Sequence, residues 1–231
     1  QRQMCIRDSH RYDQENEWGL KSDKIYSITT MTDGMMWAAT GFGLEMLSPD
    51  GIREYDYEKS TLGVNYIIDL EIVNDENLWV GTDQGVLKIN TMTDIITRFS
   101  ESDTIPESRR LADNLIHDIL PIDDKIWVAT GSGVVIIDTS SNNVTNFSSD
   151  LIARVITQDQ DGDIWLGTEM DGLYTIPSKL ISNIINGENF EIEGYVFDPE
   201  YPNGISSSQI TCLSQDKNGM IWIGTNGGLN Q

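Results

Sequence analysis

Ile164-Trp165-Leu166-Gly167-Thr168 is a phrase that this chain repeats. It returns as Met36-Trp37-Ala38-Ala39-Thr40, Leu78-Trp79-Val80-Gly81-Thr82, Ile126-Trp127-Val128-Ala129-Thr130 and Ile221-Trp222-Ile223-Gly224-Thr225. A glycine follows each Trp, six residues on at Gly43, Gly85, Gly133 and Gly228 and seven on at Gly172. An aliphatic residue comes next: Leu44, Val86, Val134, Leu173 and Leu229. An internal repeat this regular decides the architecture before any single residue does.

Working outward, a second phrase precedes the first. It reads Leu20-Lys21-Ser22-Asp23-Lys24-Ile25, Leu62-Gly63-Val64-Asn65-Tyr66-Ile67 and Leu111-Ala112-Asp113-Asn114-Leu115-Ile116, with a looser copy at Ile205 to Ile210. Between the phrases lies an apolar-rich run and a turn. Asp33-Gly34, Asp161-Gly162 and Asn218-Gly219 are hairpin dipeptides, because Gly takes positive φ without steric cost. Each unit then reads as four short strands, the Trp phrase being the second. Apolar residues stand on consecutive positions there, so both faces must be covered. The Trp should fill one inter-sheet gap and its two neighbours the other, with Gly or Ala leaving room where a large residue approaches.

Successive Trp residues are 42, 48, 38 and 57 apart. Periods of ~40–50 residues rich in Val, Ile, Thr and Trp point to propeller blades and exclude helical solenoids. The fold class is all-β: a β-propeller, as an incomplete array of about five four-stranded antiparallel blades. The expected blades are 25–58, 67–100, 116–148, 153–198 and 209–231, within a propeller segment 10–231. Residues 1–9 (QRQMCIRDS) match no part of the repeat and are expected to be a tail that packs on nothing. Two departures stand out. The connection Ser100 to Asn114 is long and carries Pro106, Arg109 and Arg110. The segment Pro177 to Gly204 is longer, with a short helix expected near Pro177 to Ile185 and a rigid loop at Asp198 to Gly204. The chain reads as a fragment of a longer array. An open arc leaves blade faces uncovered, so the isolated piece is expected to aggregate.

The net charge of −22 disfavours phosphate backbones and anionic lipid surfaces, so nucleic acid is not an expected partner, and with no run of eighteen apolar residues no membrane insertion is expected. Two cysteines, Cys5 and Cys212, and two histidines, His10 and His117, define no disulfide framework and no metal centre. Asp159-Gln160-Asp161-Gly162-Asp163 has its Gly at the wrong place for a calcium loop and no Glu at the twelfth position. Gly41-Phe42-Gly43 and Gly131-Ser132-Gly133 lack a third Gly and a following helix, so they are turns and not phosphate cradles. No motif asks for a cofactor, no metal is expected and no catalytic constellation emerges.

Taken together, the phrases resemble the two-component regulator propeller repeat, most clearly at Val155 to Leu173 and Leu213 to Leu229. The first and third units depart by carrying Ala39 and Ala129, and the second and third lack the Asp-Gly turn. The resemblance implies a ring in the periplasmic sensor region of a hybrid histidine kinase. Oligosaccharide is the implied ligand class, with further blades, signalling domains and a homodimer as implied partners. The residues offered for ligand contact are Tyr195, Phe197 and Tyr201, placed off the repeat, and Arg109 and Arg110, whose planar forks suit acidic sugars. An interaction scaffold is the alternative. A carbohydrate-active enzyme comes third; it needs two carboxylates ~5–9 Å apart in one pocket.

Overall fold

The computed structural model describes residues 19–56, 62–64, 66–147, 151–186, 188, 192–201 and 203–231. The 1–9 tail, Cys5, His10, Asn65, Gly187 and Pro202 lie outside the described residues. Five antiparallel sheets follow one another along the chain. Blade 1 comprises β1 (Ile25–Thr30), β2 (Met36–Thr40), β3 (Gly43–Ser48) and β4 (Gly51–Asp56). Blade 2 comprises β5 (Ile67–Val73), β6 (Asn77–Thr82), β7 (Gly85–Asn90) and β8 (Ile96–Phe99). Blade 3 is β9 (Ile116–Ile122), β10 (Lys125–Thr130), β11 (Gly133–Asp138) and β12 (Val144–Phe147). Blade 4 is β13 (Ala153–Gln158), β14 (Ile164–Thr168), β15 (Leu173–Ile176) and β16 (Glu193–Tyr195). Blade 5 has three strands among the described residues: β17 (Ile210–Gln215), β18 (Ile221–Thr225) and β19 (Gly228–Asn230). Strand order follows the chain in every sheet. The first strands of successive blades pack side by side, which places them at the hub. This is a β-propeller arc.

The apolar core lies between blades, not within them. One buried cluster joins Trp37 and Tyr55 of blade 1 to Leu78, Val80, Leu87 and Ile89 of blade 2. The next joins Trp79 and Phe99 to Ile126, Val128, Val135 and Ile137. A third joins Trp127 to Ile164, Leu166 and Ile176, and a fourth brings Trp165 against Ile221 and Ile223. Each Trp therefore faces the following blade while its two neighbours face the preceding one, as alternation along a strand requires. The Gly or Ala of the phrase answers to what approaches it. A Cβ on Gly81 would stand 2.9 Å from Ile116 Cγ2, and one on Gly167 2.5 Å from Ile210 Cγ2. Ala129 instead shares its cluster with a small residue, Ala153.

The Thr that ends the phrase closes the hairpin into the third strand. Its hydroxyl donates to the glycine carbonyl across the turn, Thr82 to Gly85 at 2.7 Å and Thr168 to Gly172 at 2.8 Å. It also accepts an amide, that of Gln84 at 3.0 Å or Ser132 at 3.1 Å. The glycine is required at φ +107° in Gly85 and +88° in Gly172; an added Cβ would lie 2.2 Å from the carbonyl oxygen of Phe99 or Tyr195. In the first hairpins the Asp-Gly reading holds with one refinement. Gly34, Gly162 and Gly219 take the positive φ alone; Asp159 and Asp216 at the heads of their loops accept amides, and in blade 1 Asp33, next to Gly34, accepts that of Met35. Where no Gly stands, Asn74, Asp75 and Asp123 adopt positive φ themselves.

Two segments depart from the meander. Connection 100–115 holds a 3-10 turn, Glu107–Arg109. After β15 come a second 3-10 turn, Ser178–Leu180, and α1 (Ile181–Ile185). The helix lies where it was expected, but it is part of the core. Ile184 is buried in the blade 3–4 cluster with Trp127, flanked by Ile181 and Ile185.

Candidate functional site

The meander puts the second-to-third turns and the blade-to-blade connections on one face of the arc. The first and third turns lie on the other. Among the described residues every exposed aromatic ring maps to the first of these faces: Tyr26, Phe42, Tyr66, Tyr195, Phe197 and Tyr201. The connection after blade 4 borders a gap of about 750 Å³ between blades 4 and 5, beside Asn230 and Gln231 where the given sequence ends. Trp165, Tyr195, Tyr201, Val196, Ile223 and Asn203 are among its walls, and Asp198 is the one Asp or Glu among the described residues that line it. The loop is held by its own bonds. Tyr201 N donates to the Asp198 carbonyl at 3.0 Å, Glu200 N to the Asp198 carboxylate at 2.8 Å, and Phe197 N to Ser208 Oγ at 2.9 Å.

The sequence-nominated residues separate. Tyr195 and Tyr201 line the cleft; Arg109 and Arg110 belong to the blade 2–3 connection and do not. Arg110 secures its own loop, donating to the carbonyls of Ile105 (3.4 Å) and Asp103 (3.3 Å) and pairing with the Asp103 carboxylate at 3.2 Å. Tyr195 is not off the repeat. It ends a fourth strand opposite Leu173, as Tyr55 stands opposite Leu44, Phe99 opposite Val86 and Phe147 opposite Val134. In blades 1 and 2 that ring packs on the Trp, at 5.5 Å for Trp37–Tyr55 and 5.6 Å for Trp79–Phe99. The long insertion before β16 hid this equivalence. Burial and the adjacent Glu193 push the Tyr195 phenol up.

The Trp residues are not equally buried, since the given sequence holds no blade after Trp222 and only three strands of the blade that faces Trp165. Trp37, Trp79 and Trp127 are inaccessible, whereas Trp165 and Trp222 are half-buried. The last two donate their indole N–H to Asp159 (2.8 Å) and Asp216 (3.2 Å). Met31 and Val73 stand six residues before Trp37 and Trp79, and those indole nitrogens have no protein partner.

Sequence reading also missed a polar thread along the hub. Ser27 Oγ donates to Asp69 at 3.1 Å and accepts from Leu70 N of the next blade at 3.3 Å. Asp69 accepts from Ile119 N at 3.1 Å, and Asp118 from Ile156 N at 2.9 Å. Each side chain thus ties its first strand to the backbone of the following blade. Val155 and Cys212 end the series. Burial, then the nearby Asp69, pushes Asp118 up to about 7, and the same two causes push Glu71 up to about 7. Burial likewise raises Glu45, whose carboxylate accepts from Thr40 Oγ1 (2.9 Å) and Lys21 N (3.1 Å). No group of three or more metal-ligating side chains occurs among the described residues.

The sequence profile described as "Two component regulator propeller" matches residues 140–170 and 204–227. Two stretches of the chain thus match the repeat of that family. Two solved structures described as extracellular domains of hybrid two component systems of B. thetaiotaomicron superpose on it. The first, BT3049, has a TM-score of 0.72 at 22% identity over 92% of this chain. The second, BT4673, has 0.72 at 16% identity over 89%. This chain spans 29% and 26% of their lengths. Virginiamycin B lyase from Staphylococcus aureus superposes with a TM-score of 0.58 at 16% identity, over 90% of this chain and 69% of the lyase. At these identities the likeness is one of fold. No curated protein matches the chain. No helix among the described residues is long and apolar enough to cross a membrane.

Proposed function

We propose that this chain is part of the ligand-sensing propeller of a two-component regulator and that its ligand is an oligosaccharide. The observation that carries the reading is the family repeat together with the exposed aromatic residues Tyr195, Phe197 and Tyr201 grouped on the connection after blade 4. Aromatic rings suit the apolar faces of sugar rings. Ligand engagement would shift the population of ring or dimer geometries and pass the change to a kinase elsewhere in the parent protein, outside the cytoplasm on the sensing side. The likeness to a lyase is the reason to test turnover directly. A glycan array on the full sensor region should give oligosaccharide hits that Tyr201→Ala weakens by about tenfold. Absence of any hit, or product release from a bound glycan, would contradict the proposal.

A further inference from the structure

Most repeat positions carry repeating side chains because the fold needs them. Two rows do not. Every first strand has a β-bulge at one place, between Ile25 and Ser27, Ile67 and Asp69, Ile116 and Asp118, Ala153 and Val155, and Ile210 and Cys212. The extra residues are Tyr26, Ile68, His117, Arg154 and Thr211, all exposed or half-buried. The second row follows the Thr of each phrase: Gly41, Asp83, Gly131, Glu169 and Asn226. Its backbone is fixed alike in all five blades, each amide donating to a carbonyl just ahead of the first strand, from Gly41 to Lys24 through Asn226 to Gln209. The bulge row carries five different side chains, and in the second row Asp83, Glu169 and Asn226 differ on one backbone while glycine recurs at 41 and 131, so the fold does not choose the side chains that these positions do carry. A bulge also re-aims a side chain, here at the hub end of the aromatic face.

A second observation points the same way. Four buried side-chain polar atoms among the described residues lack a protein partner. Two are the Trp37 and Trp79 indoles. The other two, Asp83 Oδ1 and His117 Nε2, fall in these two rows. Buried polar atoms are as a rule paired, so orphans in these two rows mark where a ligand's polar groups belong. Arg154 and Glu169 stand next to His117, 3.7 Å apart and 46% and 39% exposed, a loose pair with hydrogen-bonding capacity to spare. Asp113 holds this corner from behind, accepting from Leu115 N at 2.8 Å and Ser132 Oγ at 3.1 Å.

We infer that the hub mouth over blades 2 to 4 is a polar subsite for a neutral, hydroxyl-rich sugar unit, contacted by Asp83, His117, Arg154 and Glu169. The inference rests on the oligosaccharide reading above and adds the site and the charge class. Burial and Arg154 lower the His117 pKa, so its ring is neutral and either donates or accepts. Carboxylates at Asp83, Asp113 and Glu169 outnumber the one guanidinium, which disfavours uronic or sulfated sugars.

The test is calorimetric titration of the full sensor region with neutral and uronic oligosaccharides of about three to six units, a length matched to a mouth spanning several blades. Arg154→Ala and Glu169→Gln, both on exposed side chains, should weaken a neutral oligosaccharide about tenfold or more with unchanged melting temperature. His117→Gln should weaken it less, since an amide restores one bond. Wild-type affinity in all three variants would overturn the subsite while leaving the oligosaccharide reading intact. Binding confined to uronic sugars would overturn the charge class, and no binding of any sugar by the unaltered region would overturn both.

Discussion

The blade 2–3 and blade 4–5 interfaces use the same parts with opposite results. At the first, Trp79 is wholly buried, Phe99 packs on it at 5.6 Å, and Val135 and Ile137 fill the outer gap. Lys88 spans the seam, donating to the Thr139 carbonyl at 2.7 Å and Asn142 at 3.1 Å. At the second, Trp165 is half-buried and Asn230 stands where blades 2 and 3 have Leu87 and Val135, while the position matching Ile89 and Ile137 falls after Gln231, outside the given sequence. The hub differs too: Asp69 ties blade 2 to blade 3, while blade 4 offers Val155, which cannot accept a hydrogen bond. A repeat therefore fixes where two blades meet.

The sharpest way to break this contrast is to remove the wedges. Trp79→Ala should cost about 3–5 kcal/mol, and Trp165→Ala about half as much or less, because less of its surface leaves water. Urea midpoints of the two variants decide it, and equal losses would erase the distinction. Next comes the hub. The folded pKa of Asp118, about 7, lies above its ordinary 3.8. The folded state then binds the proton more tightly. Its stabilising contribution is complete below about pH 4 and lost as pH rises through 7, on the order of 2–3 kcal/mol. Glu71 acts in the same direction. Asp118→Asn should flatten stability against pH over that window, as read by thermal melts at pH 5 and 8. A third contrast concerns glycines of like φ. Gly85→Ala meets a carbonyl and should cost about 2–3 kcal/mol, whereas Gly34→Ala, at +88° with open space, should cost about 1. The smallest effect is expected at Asp159→Ala, about 1 kcal/mol, from losing the Trp165 indole bond and the turn amides.

Most of the fold was legible because propeller blades write themselves at fixed positions. The Trp, the Gly after it and the hairpin dipeptides each answer to one local steric demand, repeated five times. The hub thread was not legible, since a bulge breaks the period-two pattern and hides that Ser27, Asp69 and Asp118 occupy one position. Tyr195 was misread as an insertion residue because its three-residue strand follows a long excursion. Of the residues offered from the sequence for ligand contact, Tyr195 and Tyr201 lie together beside the blade 4–5 gap. Arg110 looked available because sequence does not show that its own loop supplies the acceptors. His117, Arg154 and Glu169 left no signal, because a position whose side chain the fold ignores has no pattern to read.

The central claim is that each indole packs on the side of its blade that faces the next blade and not on the side that faces the preceding one. A double-mutant cycle tests it. Trp79 and Ile126 share the blade 2–3 cluster, whereas Ile89, in the same blade as Trp79, faces blade 1. The account predicts coupling of about 1 kcal/mol or more for Trp79→Ala with Ile126→Ala, and less than about 0.5 with Ile89→Ala. Coupling to Ile89 with none to Ile126 would contradict it.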